Sequence, residues 1–468
     1  MSDLKTLVGD VHPHVLAFTA GRDAELDRCL VEVDCIGSAA HARMLAALDL
    51  DPPLLRPDEA DSLIETLVDI MRAARRGAFT IRPEDQDVHL AVERALTQAL
   101  GAPGRRIHTA RSRNDQIALD LRLYARERLL DLTGSIGDLA TVMLDLAARH
   151  RDIPMVGRTH LQPAMPSSVG VWASAHAESL IDDLILIQAV YELNDRCPLG
   201  SAAGYGVPLP IDRELTARLL GFAAPVHNVL YASSARGKCE AAILGALGQT
   251  MLSMGRLAED MILFMMPEFG YFSLPPSCCT GSSIMPQKQN PDVFELIRAR
   301  TAQVLALEQA AAGIVKGLAS GYSRDLQEIK PAFLEGLRVT AECVSVLTLV
   351  MPELIVHPDA LRRGFGPAVF AADRALELVA GGMPFRDAYD DVKANLAALA
   401  DADPDAAIAR KVHAGAPAGL DLDLLRQRTR ERAEAAAATR QRLEKTVSDL
   451  LGVRYPDDVA CENPNGET

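Results

Sequence analysis

The feature that most limits what this chain can become is the stretch from residue 114 to 150. It holds no proline and repeats apolar side chains at Ile117, Leu121, Tyr124, Leu132, Ile136, Leu139, Met143 and Leu146. Spacings of mostly three and four predict a single amphipathic helix, roughly 50 Å long at about 1.5 Å per residue. Comparable stretches, with proline only at a first position, cover residues 167–193, 231–265, 291–318 and 331–350. Helices this long with broad apolar faces need partners, so five in succession predict one elongated bundle. Aromatic residues make up only 4% of the chain, which favours helix over β-rich sheet.

The expected fold is therefore all-α, with three helical domains. Residues 1–112 form an N-terminal helical domain of shorter segments, separated at Asp51-Pro52-Pro53 and Arg82-Pro83. Residues 113–360 form the central bundle of five long helices. Residues 361–468 form a small helical C-terminal domain, broken at Gly381-Gly382-Met383-Pro384 and Asp401-Ala402-Asp403-Pro404, with a disordered polar tail from Cys461. Two helix starts carry signals of their own. Asn290-Pro291-Asp292 offers a cap, a proline at the first position and an acidic first turn, and Asn114-Asp115 offers a similar start.

A formal net charge of −15 argues against a nucleic-acid backbone or an anionic membrane as partner, while leaving room for a local anion-binding pocket. The eight cysteines are irregularly spaced and show no paired zinc-site pattern. They read as reduced thiols of a cytoplasmic protein without a metal centre. No stretch resembles a signal peptide, and no apolar run reaches about 18 residues.

Chemistry concentrates in Gly281-Ser282-Ser283-Ile284-Met285-Pro286-Gln287-Lys288-Gln289-Asn290-Pro291, which places two serines, a lysine and an amide in one turn-rich segment. A hydroxyl of lowered pKa can remove a carbon-bound proton, and an ammonium with amide donors can hold the charge that develops. The same residues are also ordinary turn formers. Three further polar constellations punctuate the chain: His108-Thr109-Ala110-Arg111-Ser112-Arg113-Asn114-Asp115-Gln116, Gly157-Arg158-Thr159-His160-Leu161-Gln162-Pro163-Ala164-Met165-Pro166, and Tyr322-Ser323-Arg324-Asp325-Leu326-Gln327-Glu328 followed by Lys330.

Together, in this order and at these separations, the four resemble the signatures of the fumarase/aspartase superfamily, and among its branches the argininosuccinate lyases most closely. The resemblance runs from about Phe18 to residue 370. It implies reversible anti elimination of argininosuccinate to arginine and fumarate without metal or organic cofactor. It also implies a homotetramer with a twenty-helix core, each active site drawing its motifs from three chains.

Residue by residue, the resemblance gives Ser282 as the base, with Ser283 in support. Lys288 and Asn290 hold the carboxylate as it becomes a dianionic aci-carboxylate. His160, placed with Thr159, serves the leaving nitrogen, and Glu295 is its acidic partner. Ser112, Arg113 and Asn114 engage carboxylates, while Tyr322, Gln327 and Lys330 hold the amino-acid end or far carboxylate. Asp87 matches an aspartate close to substrate, whereas His89 and Glu93, four apart, suit a simple pair along a helix.

Two departures stand out. Asp23 lies where many members carry a serine, and Ser234-Ala235-Arg236-Gly237-Lys238 replaces an Asp-Arg-Asp run. The rival readings are a lyase of the adenylosuccinate, aspartate or nitrosuccinate type, and a catalytically silent crystallin-like relative. Finally, the length of segment 267–290, with Gly270 and Gly281 as hinges, predicts closure over bound substrate.

Overall fold

The structure, a computed structural model, describes residues 12–82 and 84–459; the polar tail from Cys461 lies outside them. The fold is all-α as expected. The five long helices are Arg113–Arg149, Val169–Asn194, Lys238–Met265, Asp292–Val315 and Ile329–Val350. Among the described residues no helix is long and apolar enough to cross a membrane.

The two expected caps are replaced. The first long helix is capped by Ser112, not Asn114: the Ser112 hydroxyl accepts the Asn114 N–H at 3.2 Å, and the Asp115 carboxylate accepts the Ser112 N–H at 2.9 Å. This reciprocal box satisfies donors at both ends of the first turn. The other Asp115 oxygen accepts the Gly200 and Ala202 N–H groups at 3.0 and 2.8 Å, which ties the helix start to the turn after Cys197. Burial pushes the Asp115 carboxyl up to about 6 in spite of these donors. At the fourth long helix Asn290 is not a cap either. Its backbone is bridged to Thr280, N to O at 2.8 and 3.1 Å, and helix begins only at Asp292.

The stretch expected as one helix from 231 is also interrupted. Val229–Ser234 ends before a junction, and Lys238–Met265 starts after Gly237 at φ 85°. A Cβ on Gly237 would lie 2.4 Å from Val315 Cγ2, so only glycine fits there. Glu240 accepts the Gly237 N–H at 2.6 Å and secures the new start.

The segments beyond Pro358 shorten as expected, but a 30-residue helix, Leu422–Leu451, then follows, lying antiparallel along the first long helix. Arg426 pairs with Asp145 at 2.7 Å and Arg440 with Asp131 at 2.5 Å, fixing that direction. Gly137 faces Thr429 and Ala433 of that helix, where even an added Cβ would make only ordinary contact, 3.8 Å from Thr429 Cγ2. One continuous apolar core reaches from Leu30 to Val459, and a separate small cluster holds Ala375, Ala388 and Val392.

Two non-helical segments carry candidate residues. Strand Pro154–Thr159 pairs antiparallel with Gln162–Ser168, and the connecting residues are His160 at φ 53° and Leu161 at φ 60°. A two-residue connection with both φ values positive normally uses Asn-Gly, and each non-glycine residue held there costs about 1–2 kcal/mol. Such strain persists where the surroundings impose it, commonly at functional sites. The second is segment 267–290, and here the Gly270 hinge is not supported. Tyr271, Phe272 and Leu274 are buried, and Phe272–Ser273 pairs with Ile355–Val356, which pins the segment immediately after Gly270. The poorly buried part is 275–290.

Candidate active site

The first and fourth motifs converge on one cleft of about 230 Å3, whose walls include Asp87, Arg113, Asn114, Tyr322, Gln327 and Lys330. Asp87 caps helix Val88–Leu100, accepting the Leu90 N–H at 3.0 Å, and pairs with Arg113 Nη1 at 3.1 Å. The Arg113 fork therefore already has one carboxylate. Lys330 is fully buried, with its ammonium bound to Asp27 and, at 2.8 Å, to Asp23. Burial raises the Asp27 carboxyl even against the pull of Lys330. Gln327 donates to the Thr19 and Ala20 carbonyls at 3.1 and 3.4 Å, fastening the N-terminal segment to the cleft.

Behind Asp87 lies a polar centre that residue spacing does not reveal. His89 does not pair with Glu93: its Nδ1 is 2.7 Å from Asp34 Oδ1 and 3.6 Å from Asp120 Oδ2, all three side chains being buried. Glu93 instead faces His108 at 3.7 Å. Burial alone would lower the His89 pKa, but the charges of Asp34 and Asp120 outweigh it and raise it to about 9. Burial, then the neighbouring Asp34, push the Asp120 carboxyl well up. The three donors are close enough to share a metal ion. An imidazolium between two carboxylates accounts for their geometry equally well, and the 2.7 Å contact is a hydrogen-bond distance.

The remaining candidates stand apart from the cleft. Thr159 and His160 occupy the exposed hairpin tip, Ser283 and Lys288 the exposed loop, and Glu295 the exposed first turn of the fourth long helix. Ser282 Oγ accepts the Met285 N–H at 3.1 Å and the Ile284 N–H at 3.4 Å, while Asn290 Nδ2 donates to the Gly281 carbonyl at 3.3 Å. None of these residues lines the cleft. Within one chain, then, the fold unites Asp87, Arg113, Asn114, Tyr322, Gln327 and Lys330, and leaves Thr159, His160, Ser282, Ser283, Lys288, Asn290 and Glu295 outside the cleft. The ion pair expected between His160 and Glu295 is not formed inside the chain; among the described residues neither side chain has a hydrogen-bond or ion-pair partner. Among the described residues the side-chain polar groups of Asn114, Thr159, Ser283, Lys288 and Tyr322 likewise have no hydrogen-bond or ion-pair partner.

Sequence reasoning gave no role to Asp27, Asp34, Asp120 or Arg236, all of which lie in or behind the cleft walls. The only available signal was position: Asp27 falls one helical turn after Asp23, and Arg236 beside a glycine junction.

Comparison with known proteins finds relatives across most of the chain. A family model described as "Lyase" matches residues 16–306. The argininosuccinate lyase of Phocaeicola vulgatus is 42% identical over 382 residues, covering 82% of this chain and 85% of that protein. The argininosuccinate lyase of Sorangium cellulosum is 41% identical over 412 residues, covering 88% and 95%. Among solved structures, EDDS lyase in complex with formate superposes with a TM-score of 0.76 at 21% identity, over 95% of this chain and 97% of that one. The 3-carboxy-cis,cis-muconate lactonizing enzyme from Pseudomonas putida gives 0.65 at 18% identity, over 92% and 97%. At such identities the superpositions speak for the fold alone.

Proposed function

This chain belongs to the argininosuccinate lyase family of the fumarase/aspartase superfamily, and from that premise we propose that it cleaves argininosuccinate reversibly into arginine and fumarate. The observation that carries the reading is the cleft, where motifs more than 200 residues apart bring Asp87, Arg113, Asn114, Tyr322, Gln327 and Lys330 to one surface.

In this mechanism the Ser282 oxygen takes the proton from the carbon beside a carboxylate. Its two backbone donors, Ile284 and Met285, favour the ionised oxygen over the hydroxyl and so lower the barrier to that transfer. Lys288 and Asn290 hold the carboxylate while it carries the charge of the aci-form. The carbon–nitrogen bond then breaks, fumarate forms, and the proton due to the departing guanidino nitrogen is delivered or organised by His160 with Thr159. Glu295 favours the charged imidazole. Ser112, through its cap, fixes the approach of Arg113 and Asn114 to the second carboxylate. Tyr322, Gln327 and Lys330, the last acting with Asp23 and Asp27, hold the amino-acid end. These steps call on neither metal nor organic cofactor.

Completing the site requires more than one chain. We propose a homotetramer whose twenty-helix core places the Ser282 loop and the His160 hairpin of neighbours over each cleft. The exposed Ile185, Leu186, Leu296 and Leu349, on three of the five long helices, support burial of those faces against other copies. Within each copy, residues 1–112, 113–360 and 361–468 serve as the three domains, and the enzyme works in the cytoplasm.

The direct test follows the ultraviolet absorbance of fumarate as argininosuccinate, adenylosuccinate or aspartate is supplied. Release from argininosuccinate alone is expected. Absence of turnover with argininosuccinate would overturn the proposal.

A further inference from the structure

The second motif contains a cation that the mechanism above does not use. Arg158, two residues before His160, is half-buried, forms no ion pair among the described residues and has a buried Nε without a hydrogen-bond partner. It is not among the residues that line the cleft. Its guanidinium instead ties two pieces of chain together. Nη1 donates to the Leu161 carbonyl at 3.0 Å, so the side chain reaches across the hairpin tip to the far side of His160. Nη2 donates to the Tyr271 hydroxyl at 3.5 Å, and Cζ lies 4.9 Å from the centroid of the Phe269 ring.

That aromatic shelf is itself fixed. Phe269 meets Tyr271 and Phe264 edge-on, at 5.4 and 6.0 Å between ring centroids. Tyr271 is buried; its N–H donates to the Phe264 carbonyl at 3.0 Å, and its carbonyl accepts the His357 N–H at 2.9 Å. A Cβ on Gly364 would lie 2.4 Å from the Tyr271 hydroxyl, so the ring is enclosed on that side as well. The tip, by contrast, needs an outside support. His160 and Leu161 hold φ values that their Cβ atoms oppose, and a bulge between Gly157 and Arg158 interrupts the strand register just below them. Both side chains are exposed, so neither supplies packing that would keep the turn in place.

We infer that Arg158 is a positioning residue that holds the His160 turn against the Phe269–Tyr271 shelf and so aims the imidazole at the leaving nitrogen. The inference rests on the lyase reading and deepens it. Arg158 acts through His160 and touches no substrate. An arginine suits the task because its planar fork donates to two oxygens while its face rests on a ring, which the point charge of a lysine cannot do. Misplacing a catalytic group by about 1 Å costs on the order of a hundredfold in rate, which sets the size of the expected effect.

The test compares fumarate release from argininosuccinate by the wild type, Arg158→Gln, His160→Asn and the double variant. Arg158→Gln should lower kcat on the order of a hundredfold while KM stays within about twofold of wild type. In the His160→Asn background the same substitution should change the residual rate by less than about twofold, because no imidazole is left to aim. A loss by the same factor in both backgrounds would mean a general structural role and overturn the inference. Wild-type kcat in Arg158→Gln overturns it too, as does a raised KM at unchanged kcat, the mark of a binding group. Should the glutamine variant not fold, Arg158→Lys keeps the charge and can reach only one of the two oxygens. A drop in kcat of roughly tenfold is expected of it, again silent beside His160→Asn, and an unchanged kcat refutes the inference. Wild-type protein that releases no fumarate from argininosuccinate refutes the lyase reading and this inference with it. An active wild type whose kcat is indifferent to Arg158 refutes this inference alone.

Discussion

The buried His89 centre makes stability depend on pH in a direction that can be calculated. His89 has its pKa raised to about 9, against an ordinary value of 6.5, by the carboxylates of Asp34, Asp120 and Asp87, which together outweigh its burial. A group whose folded pKa is raised binds its proton more tightly in the native state. Its contribution is therefore complete below about pH 6.5 and disappears as pH rises through about 9. At about 1.36 kcal/mol per pH unit the difference is worth on the order of 3 kcal/mol. Asp120, also raised, changes stability in the same sense, so the two do not cancel. The measurement is the urea midpoint of the wild type and of His89→Gln at a series of pH values between about 6 and 9.5, at fixed protein concentration because an oligomer's midpoint depends on it. The glutamine variant can still donate to Asp34 but carries no titrating charge. It should be less stable at pH 6, and its midpoint should fall less steeply with pH than that of the wild type. Parallel curves for the two proteins would refute the claim that His89 is an imidazolium held by these carboxylates.

Other expectations concern the chemistry and its supports. Ser282→Ala should lower kcat by at least about a thousandfold with the helical circular-dichroism signal unchanged, and wild-type-like turnover would remove Ser282 as the base. Subunits carrying Ser282→Ala, refolded in equal amounts with subunits carrying His160→Asn, should regain about a quarter of wild-type activity, since two independent positions must each draw the intact residue. Mixed tetramers that form but stay inactive would contradict a site shared between chains. Leu161→Gly should not lower the thermal midpoint and should stabilise the hairpin by up to about 1 kcal/mol, because the residue sits at positive φ and is 72% exposed. A clear fall in midpoint would mean that Leu161 is packed in the assembly.

The long helices were legible because apolar spacing of three and four persists over many turns, and one-sided burial is what such spacing encodes. The junction at Gly237 was not, since the apolar pattern continues through it and the break is imposed by Val315, nearly 80 positions away. The hairpin at Thr159 was hidden for a related reason: neither His160 nor Leu161 advertises positive φ. Helix Leu422–Leu451 escaped notice as a long element because its charged residues dilute the apolar stripe, leaving Leu422, Leu425, Val447, Leu450 and Leu451 as its buried apolar contacts. At the site, residue types and order singled out the first and fourth motifs, which the fold brings to one cleft. What they could not tell was which groups already had partners: Arg113 is met by Asp87, and Lys330 by two aspartates. Ion pairs between remote segments leave no periodic trace in a sequence.

Leu422–Leu451 also has a consequence for how the protein is made. The stripe of the first long helix that it covers, around Gly137, leaves the ribosome some 290 residues before Thr429, which faces it. At about 5–20 residues per second that interval is roughly a quarter of a minute to a minute. During it the nascent chain carries a bare apolar strip that Leu422–Leu451 later closes. Arg72 and Arg75 then clasp the Asp458 and Pro456 carbonyls, and Tyr455 reaches Glu32 and Glu127. Helices Val31–Ala46 and Pro57–Arg75 are thus locked by residues made more than 380 positions later, so a message cut short before Leu422 yields a product destined for chaperones and proteases rather than a smaller working enzyme.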